Sequence, residues 1–329
     1  MTFLYIVVVL VLIFDFINGF HDSANSIATV VSTKVLSTIA AVGMASFFNF
    51  IAFLVFHLKV ATTIGKGVVN PDVITLTLIA SALIAAIAWN LVTWWFGLPS
   101  SSSHTMVGGL VGAAVASSGW SSVVMGGVIK IVIFIVIATL LGMIMSFIIS
   151  AIVIFLARNH SPSGIDKHFR RLQLLSAAAF SLGHGGNDAQ KSMGIIWVAL
   201  IASGLATKND PIALWIVLSC QAAIALGTLY GGWRIVKTMG QKITKLKPFE
   251  GFCAESAGAL TLFGATHFGI PVSTTHVITG AIIGTGARKG VSAVKWGVTT
   301  NIFWAWLLTI PVSAIVGSLM FYLLNWILA

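Results

Sequence analysis

The sequence predicts an all-α integral membrane protein of two inverted-topology repeats, with broken or re-entrant helices and roughly 10–12 transmembrane segments. Three observations lead there. The 329 residues are 58% hydrophobic and 8% charged, with mean hydropathy +1.02, where a soluble domain carries about 25% charged residues. The apolar residues run in stretches of tens, which suits helices; membrane barrels alternate over roughly ten-residue segments. Finally, the polar interruptions come twice, in the same order and at similar spacing. Gly19-Phe20-His21-Asp22-Ser23-Ala24-Asn25 is answered by Gly185-Gly186-Asn187-Asp188-Ala189-Gln190-Lys191, and Pro99-Ser100-Ser101-Ser102-Ser103-His104 by Pro271-Val272-Ser273-Thr274-Thr275-His276.

The first repeat is read as residues 1–157, with apolar segments near 2–33, 36–58, 73–97, 104–117 and 123–157. The opening run lacks a basic leader and a small-residue cleavage site, so it is a first helix and not a signal peptide. The second repeat, 172–329, has segments near 172–205, 211–231, 253–268, 272–287 and 293–328. Two segments exceed a simple span, and the pattern predicts breaks inside them at Gly19–Asp22 and Gly183–Asp188. Two others, 104–117 and 272–287, fall short: fourteen helical residues cover about 21 Å of a core about 30 Å thick. Each short segment starts at a hydroxyl cluster, as a helix beginning partway through the membrane or a re-entrant hairpin would.

Between the halves lies a basic linker, 158–171, with Arg158, Lys167, Arg170 and Arg171. Its charge predicts a cytoplasmic position. A second basic stretch holds Arg234, Lys237, Lys242, Lys245 and Lys247, whereas the corresponding first-half loop near 59–70 has only Lys59 and Lys66. That asymmetry is what opposite orientation of the halves predicts. An odd number of crossings in the first half places both termini on the extracytoplasmic side. The net charge of +10 is spread over short loops, which fits membrane orientation and not nucleic acid. Cys220 and Cys253 have no disulfide or metal spacing and read as inert core residues.

Proline followed by hydroxyls and an apolar run is a helix start, with free N–H groups and partial positive charge. Two such starts, Ser101, Ser102, Ser103 and Ser273, Thr274, Thr275, make a cradle for one tetrahedral oxyanion; the alternative is that the hydroxyls join helices. Asp22 and Asp188 are carboxylates at membrane depth. They must be paired, protonated or bound to a cation, which implies a cation or proton travelling with the anion, and they are the candidate metal ligands. Asn25 lies one turn from Asp22, and Lys191 one turn from Asp188. Asp with Asn and hydroxyls suits Na⁺ or another hard cation, while Lys191 supplies its own positive charge or touches the anion. His21 stands where the second half has Asn187; it titrates near neutral pH or does no more than the asparagine. His104 and His276 are packing partners or site groups. Glu255 is a proton or cation relay, or an acid snorkelling near the surface. Asn49 and Gln221 align across the halves and are placed close to the site. Asp15 aligns with Ser181 and reads as a polar helix–helix contact.

These four motifs resemble those of the inorganic phosphate transporter (PiT/Pho-4) family, with duplicated Gly-Ala-Asn-Asp-like and Pro-x-Ser-x-Thr-His-like blocks. The likeness covers essentially the whole chain, and Asn18 to Asn25 is most similar to the bacterial low-affinity type. The resemblance implies secondary active symport of inorganic phosphate, with protons or as a metal–phosphate complex in that type and with Na⁺ in other branches. It also implies a homodimer in the cell inner (plasma) membrane. His21 and Lys191 depart from the Na⁺ branch. On this reading Asn25 and Lys191 join the hydroxyls at phosphate, and Asp22, Asn25, Asp188, Asn187, His21 and Glu255 handle the cation or proton. A sulfate permease of the same fold and a passive anion channel are the alternatives. No nucleophile–base constellation, Walker loop or cofactor motif occurs in the sequence, so no enzyme, resident cofactor or nucleic-acid partner is expected.

Overall fold

The computed structural model describes residues 1–159 and 161–328, apart from the side chains of residues 63–66, 162 and 163. The side chains of Lys66, Pro162 and Ser163, and all of His160 and Ala329, thus lie outside the described set. Among the described residues there are twelve α-helices and no strand, with one isolated bridge between Val69 and Val123. The first half holds α1 (Thr2–Ser32), α2 (Thr38–Ile51), α3 (Lys59–Gly67), α4 (Leu76–Trp95), α5 (Ser102–Ser118) and α6 (Met125–Ala157). The second holds α7 (Pro162–Ala202), α8 (Leu214–Tyr230), α9 (Trp233–Lys237), α10 (Pro248–His267), α11 (Thr274–Lys289) and α12 (Trp296–Leu328). Much of the basic linker is helical, because Ser161 caps the Gly164 N–H and Pro162 takes the first position of α7.

The expected breaks in the two long segments are absent. Helix α1 runs unbroken for 31 residues and α7 for 41, about 46 and 61 Å. The glycines serve close packing instead of bending. A Cβ on Gly19 would stand 2.2 Å from the Ile224 carbonyl oxygen of α8, and one on Gly185 would stand 2.4 Å from that of Asn49 on α2. Small residues let helix backbones touch, which is how membrane helices gain packing energy without a hydrophobic driving force.

The two short segments do start inside the protein. Helices α5 and α11 have 17 and 16 residues, and their first residues, Ser102 and Thr274, are buried. Among the described residues four helices, α1, α4, α6 and α12, are long and apolar enough to cross a membrane by themselves, and α8 with the segment Trp233–Lys242, bent by 61°, forms a broken span or a re-entrant loop. The others are short or carry the polar motifs, so apolarity alone does not mark them. Helices α6 and α12 turn rows of exposed apolar side chains outward, among them Ile129, Ile133 and Val136, and Trp304, Leu307 and Ile315. This is a multi-pass membrane protein.

The halves interlock. Helix α1 packs on α8 while α2 packs on α7, and α5 packs on α12 while α6 packs on α11. Each contact is the counterpart of the other when one half is laid on the other. Basic residues gather at one end: Arg170 donates to the Lys34 carbonyl at the end of α1, and Lys289 pairs with Glu250 at 2.7 Å. Arg158, Lys247 and Arg288 line one cavity there. Helix α1 therefore ends where α7 begins. Lys295 N–H donates to the Ile243 carbonyl, so α12 starts near this end as well, and both termini lie at the opposite one.

Candidate functional site

The four motifs meet in one buried cluster. Asn25 of α1 donates to Thr275 Oγ1 at 2.9 Å and to Thr274 Oγ1 at 3.3 Å. Its counterpart Lys191 of α7 donates to Ser103 Oγ, the counterpart of Thr275, at 2.5 Å. The geometry is the same and the chemistry differs: an amide on one side, an ammonium on the other. Lys191 also pairs with Asp188 Oδ1 at 2.5 Å and donates to the Val272 carbonyl at 2.8 Å. Thr274 Oγ1 donates to Asp188 Oδ2 at 3.0 Å, and Thr275 Oγ1 reaches Asp22 Oδ1 at 3.4 Å. Each carboxylate thus touches the helix start of α11, and each helix start touches the other half.

The hydroxyls divide their labour. Ser101 and Ser273 cap α5 and α11, accepting from the backbone N–H of His104 and His276; they shape the helix starts, while the inner hydroxyls of Ser103, Thr274 and Thr275 meet Lys191, Asp188 and Asp22. Ser102 Oγ and Asn25 Oδ1 are buried without a hydrogen-bond partner. The N–H groups of the first helical residues have no carbonyl within their own helices. Here they converge with an ammonium, which is a setting for an oxyanion. Ser103 also lines a cavity of about 250 Å³ that continues along Val107, Lys130 and Phe268.

His21 and Asn187 are clasps. His21 Nε2 lies 3.1 Å from Thr93 Oγ1 near the end of α4, and Thr93 lies 3.0 Å from Ser100. Asn187 donates to Thr266 and to the Ile270 carbonyl near the end of α10. Each fastens the loop that leads into a hydroxyl cluster. His21 has an additional contact, since its Nδ1 donates to Asp22 Oδ1 at 2.8 Å.

His184 was not singled out in the sequence, although its spacing of four and seven residues from Asp188 and Lys191 puts all three on one face of α7. Its Nδ1 donates to Asn49 Oδ1 at 3.1 Å, because the Asn49 amide nitrogen is committed to Thr228. Its Nε2 stands 3.3 Å from Asp188 Oδ2. A neutral imidazole so oriented turns a lone pair toward a carboxylate, an arrangement relieved by a proton or a cation between them. Ligand atoms of Asp22, His184 and Asp188 lie within 4.8 Å of one another. The two acids suit a hard cation and the imidazole widens the choice to a transition metal. Asn49 reaches the site through His184, whereas no described hydrogen bond brings Gln221 to it.

Glu255 is not a snorkelling surface acid: it is fully buried in α10. Thr29 and Gln173 donate to its Oε1 and Ser176 to its Oε2, at 2.5, 3.0 and 2.5 Å. It sits one turn beyond Asn25 along α1, outside the central cluster. His104 and His276 stack on each other with ring centroids 4.8 Å apart, and His276 abuts Trp306. Both rings lie behind the hydroxyls and do not contact the carboxylates.

A multi-pass helical protein whose interior gathers two helix N-termini, paired acids and one lysine has the makings of a membrane transporter. The chain belongs to the PHO4 phosphate transporter family, whose pattern matches residues 18–317. It is 54% identical over 311 residues to a "Probable low-affinity inorganic phosphate transporter" of Rhizobium meliloti (strain 1021), covering 94% of this chain and 93% of that one. A protein of the same description from Bacillus subtilis (strain 168) is 44% identical, with 98% and 97% covered. Among solved structures, "The sodium-dependent phosphate transporter" superposes with a TM-score of 0.89 at 28% identity, covering 99% of this chain and all of that one.

Proposed function

We propose that this protein is a secondary active symporter that moves inorganic phosphate together with protons. The observation that carries the reading is Lys191, whose ammonium bridges Asp188 to Ser103 at the start of α5. A fixed positive charge occupies the place where an added cation would otherwise neutralise Asp188. Phosphate is held by the α5 and α11 starts through Ser102, Ser103, Thr274 and Thr275, with Asn25 and Lys191 as further donors and Ser101 and Ser273 as the caps that shape them. Asp22 is the hydrogen-bond acceptor for the proton of hydrogen phosphate, which sulfate lacks at neutral pH. Asp22, Asp188 and Glu255 are the groups that handle the coupling proton or cation, with His21 and Asn187 holding the two loops in register.

One observation favours a second reading. The Asp22, His184 and Asp188 donor set suits a divalent metal carried as cargo with phosphate, in a neutral complex. Na⁺, named in the description of the structural neighbour, is the third coupling ion to test.

Two inverted repeats, 1–157 and 172–329 about the basic linker 158–171, account for the exchanged helix contacts and for α1 ending where α7 begins. Rocking of one repeat-derived bundle against the other then gives alternating access. The basic end is cytoplasmic by the positive-inside rule, so both termini face the extracytoplasmic side of the cell inner membrane. A homodimer is expected from the family resemblance.

The test is phosphate uptake into proteoliposomes under separately imposed Na⁺ and pH gradients. Uptake driven by the pH gradient without Na⁺, and lost in folded Ser102→Ala protein, is the expected outcome. Uptake that needs Na⁺ at fixed pH overturns proton coupling, and undiminished uptake by Ser102→Ala overturns the cradle.

A further inference from the structure

Five polar residues of α1 share one helix face at alternating steps of three and four: Asp15, Asn18, Asp22, Asn25 and Thr29. All are buried, and together they make a polar seam about 21 Å long through an apolar bundle. Thr29 closes one end by donating to Glu255. The middle is the proposed phosphate site. The other end is Asp15, which neither the phosphate cradle nor the cation cluster uses.

Asp15 is 0% exposed, and neither carboxylate oxygen has a hydrogen-bond partner. Ser192 of α7 and Asn18 stand beside it, with Ser192 Oγ and Asn18 Oδ1 also unpartnered. The titratable groups that face it are Asp188 and Lys191 from α7 and Cys220 from α8; α2 and α4 carry none. Groups of the remaining neighbours are engaged elsewhere: Glu255 at Thr29, Arg234 over Trp94 and Trp95, His276 on His104 and Trp306. No described ion pair includes Asp15. A buried carboxyl with only neutral side chains, Ser192 and Asn18, beside it and no described ion pair has no fixed counter-ion, and such an acid at membrane depth needs a mobile positive charge.

The duplication shows that the fold does not require an acid here. The counterpart of Asp15 is Ser181, whose hydroxyl simply donates to the Ala177 carbonyl. At the far end, Thr29 and Glu255 correspond to Ile195 and Leu83. The α7 seam, Ser181, His184, Asp188, Lys191 and Ile195, therefore lacks both terminal acids. Only the α1 seam meets a carboxyl at each end, Asp15 of α1 itself and Glu255 of α10.

We propose that Asp15 is a proton-carrying station of the transport cycle, binding and releasing a proton at the end of the α1 seam nearer the termini while phosphate occupies its middle. In the cycle an O–H bond forms with a proton from the aqueous phase and breaks when that proton is passed along the seam. The proposal rests on the proton-symport reading above.

The test uses the full chain in proteoliposomes, as wild type, Asp15→Asn and Asp15→Ser, with radiolabelled inorganic phosphate. One arm measures net uptake under an imposed pH gradient without Na⁺. The other measures phosphate exchange at equal pH with phosphate on both sides, which needs no net proton movement. Both variants should lose the pH-gradient stimulation and retain exchange. Equal loss in both arms by folded protein marks a structural role and overturns the proposal, as does full stimulation in the variants. A wild type that ignores the pH gradient removes the symport reading and this proposal with it, whereas a responding wild type with equally responding variants removes this proposal alone. If neither variant folds, dicyclohexylcarbodiimide decides on the wild type, since it modifies protonated carboxyls in apolar surroundings. Peptide mapping should find the adduct on Asp15, with uptake lost in proportion; an unmodified Asp15 overturns the proposal.

Discussion

Replacing Lys191 by asparagine makes the second half chemically like the first, where Asn25 occupies the same place. Lys191 and Asp188 are each 2% exposed and pair at 2.5 Å. Removing one partner of such a pair costs about 3–5 kcal/mol, mostly the penalty of a charge left alone. Asp188 keeps a hydrogen bond from Thr274 at 3.0 Å, which points to the lower figure. Lys191→Asn should therefore be destabilised by about 3 kcal/mol in medium without small cations. The same charge then becomes a cation site, so added Na⁺ should raise stability with concentration, as any ligand of the native state does. Uptake should become Na⁺-dependent at fixed pH. Cys220 and Cys253 are both buried and are the two cysteines of the chain, so a thiol-reactive dye reports thermal unfolding directly. The double variant Lys191→Asn, Asp188→Asn should recover most of the lost stability, because the orphaned charge is gone. The reasoning is refuted if Lys191→Asn unfolds within about 0.5 kcal/mol of the wild type and gains nothing from Na⁺.

Two further outcomes are expected. Gly19→Ala and Gly185→Ala each force a Cβ against a neighbouring backbone carbonyl and should lower stability in the same dye assay by about 1–3 kcal/mol or more, whereas Gly43→Ala, with nothing within 4 Å of its Cβ, should be neutral or slightly stabilising; equal behaviour of the three would remove the close-packing account of the motif glycines. Asp22→Asn replaces a pure acceptor by a group that also donates, so it should weaken phosphate more than sulfate as a competitor of radiolabelled uptake, and an unchanged ratio would show that Asp22 does not read the proton on the anion.

The membrane setting and the helix starts at the hydroxyl clusters were legible because each leaves a local signal: apolar run length, and a proline before hydroxyls. The helix breaks were misread for a physical reason. Glycine beside an acid within an apolar run is the pattern of an unwound helix and also of two helices crossing at backbone contact. Which applies depends on what lies opposite, here Ile224 and Asn49, and that is a tertiary fact. Glu255 illustrates the same limit, since its three donors come from α1 and α7 and no neighbour in sequence foretells them. His184 differs, because its spacing from Asp188 and Lys191 sets all three on one helix face, although the matching first-half position holds Asn18 and no histidine.

The near-symmetry of the site has a consequence for how coupling works. Asn25 to Thr275 and Lys191 to Ser103 are one contact made twice, with an amide in one half and an ammonium in the other. On the proposed symport reading, a lysine on one side supplies permanently the charge that the other side takes up and releases. Only the released charge can be coupled to a gradient, because a fixed one contributes equally to every step of the cycle. On that reading the carboxylate left to take up and release charge beside the anion is Asp22, next to Asn25 on α1. That helix is also the one whose polar seam extends past the site in both directions, to Asp15 and to Glu255, while the matching positions of the other half are Ser181 and Leu83. On the proposed proton-symport reading the lysine of one repeat and the carboxyls at the ends of the α1 seam, Asp15 of α1 and Glu255 of α10, are two parts of one arrangement: a built-in cation beside Asp188 and proton-binding groups along α1.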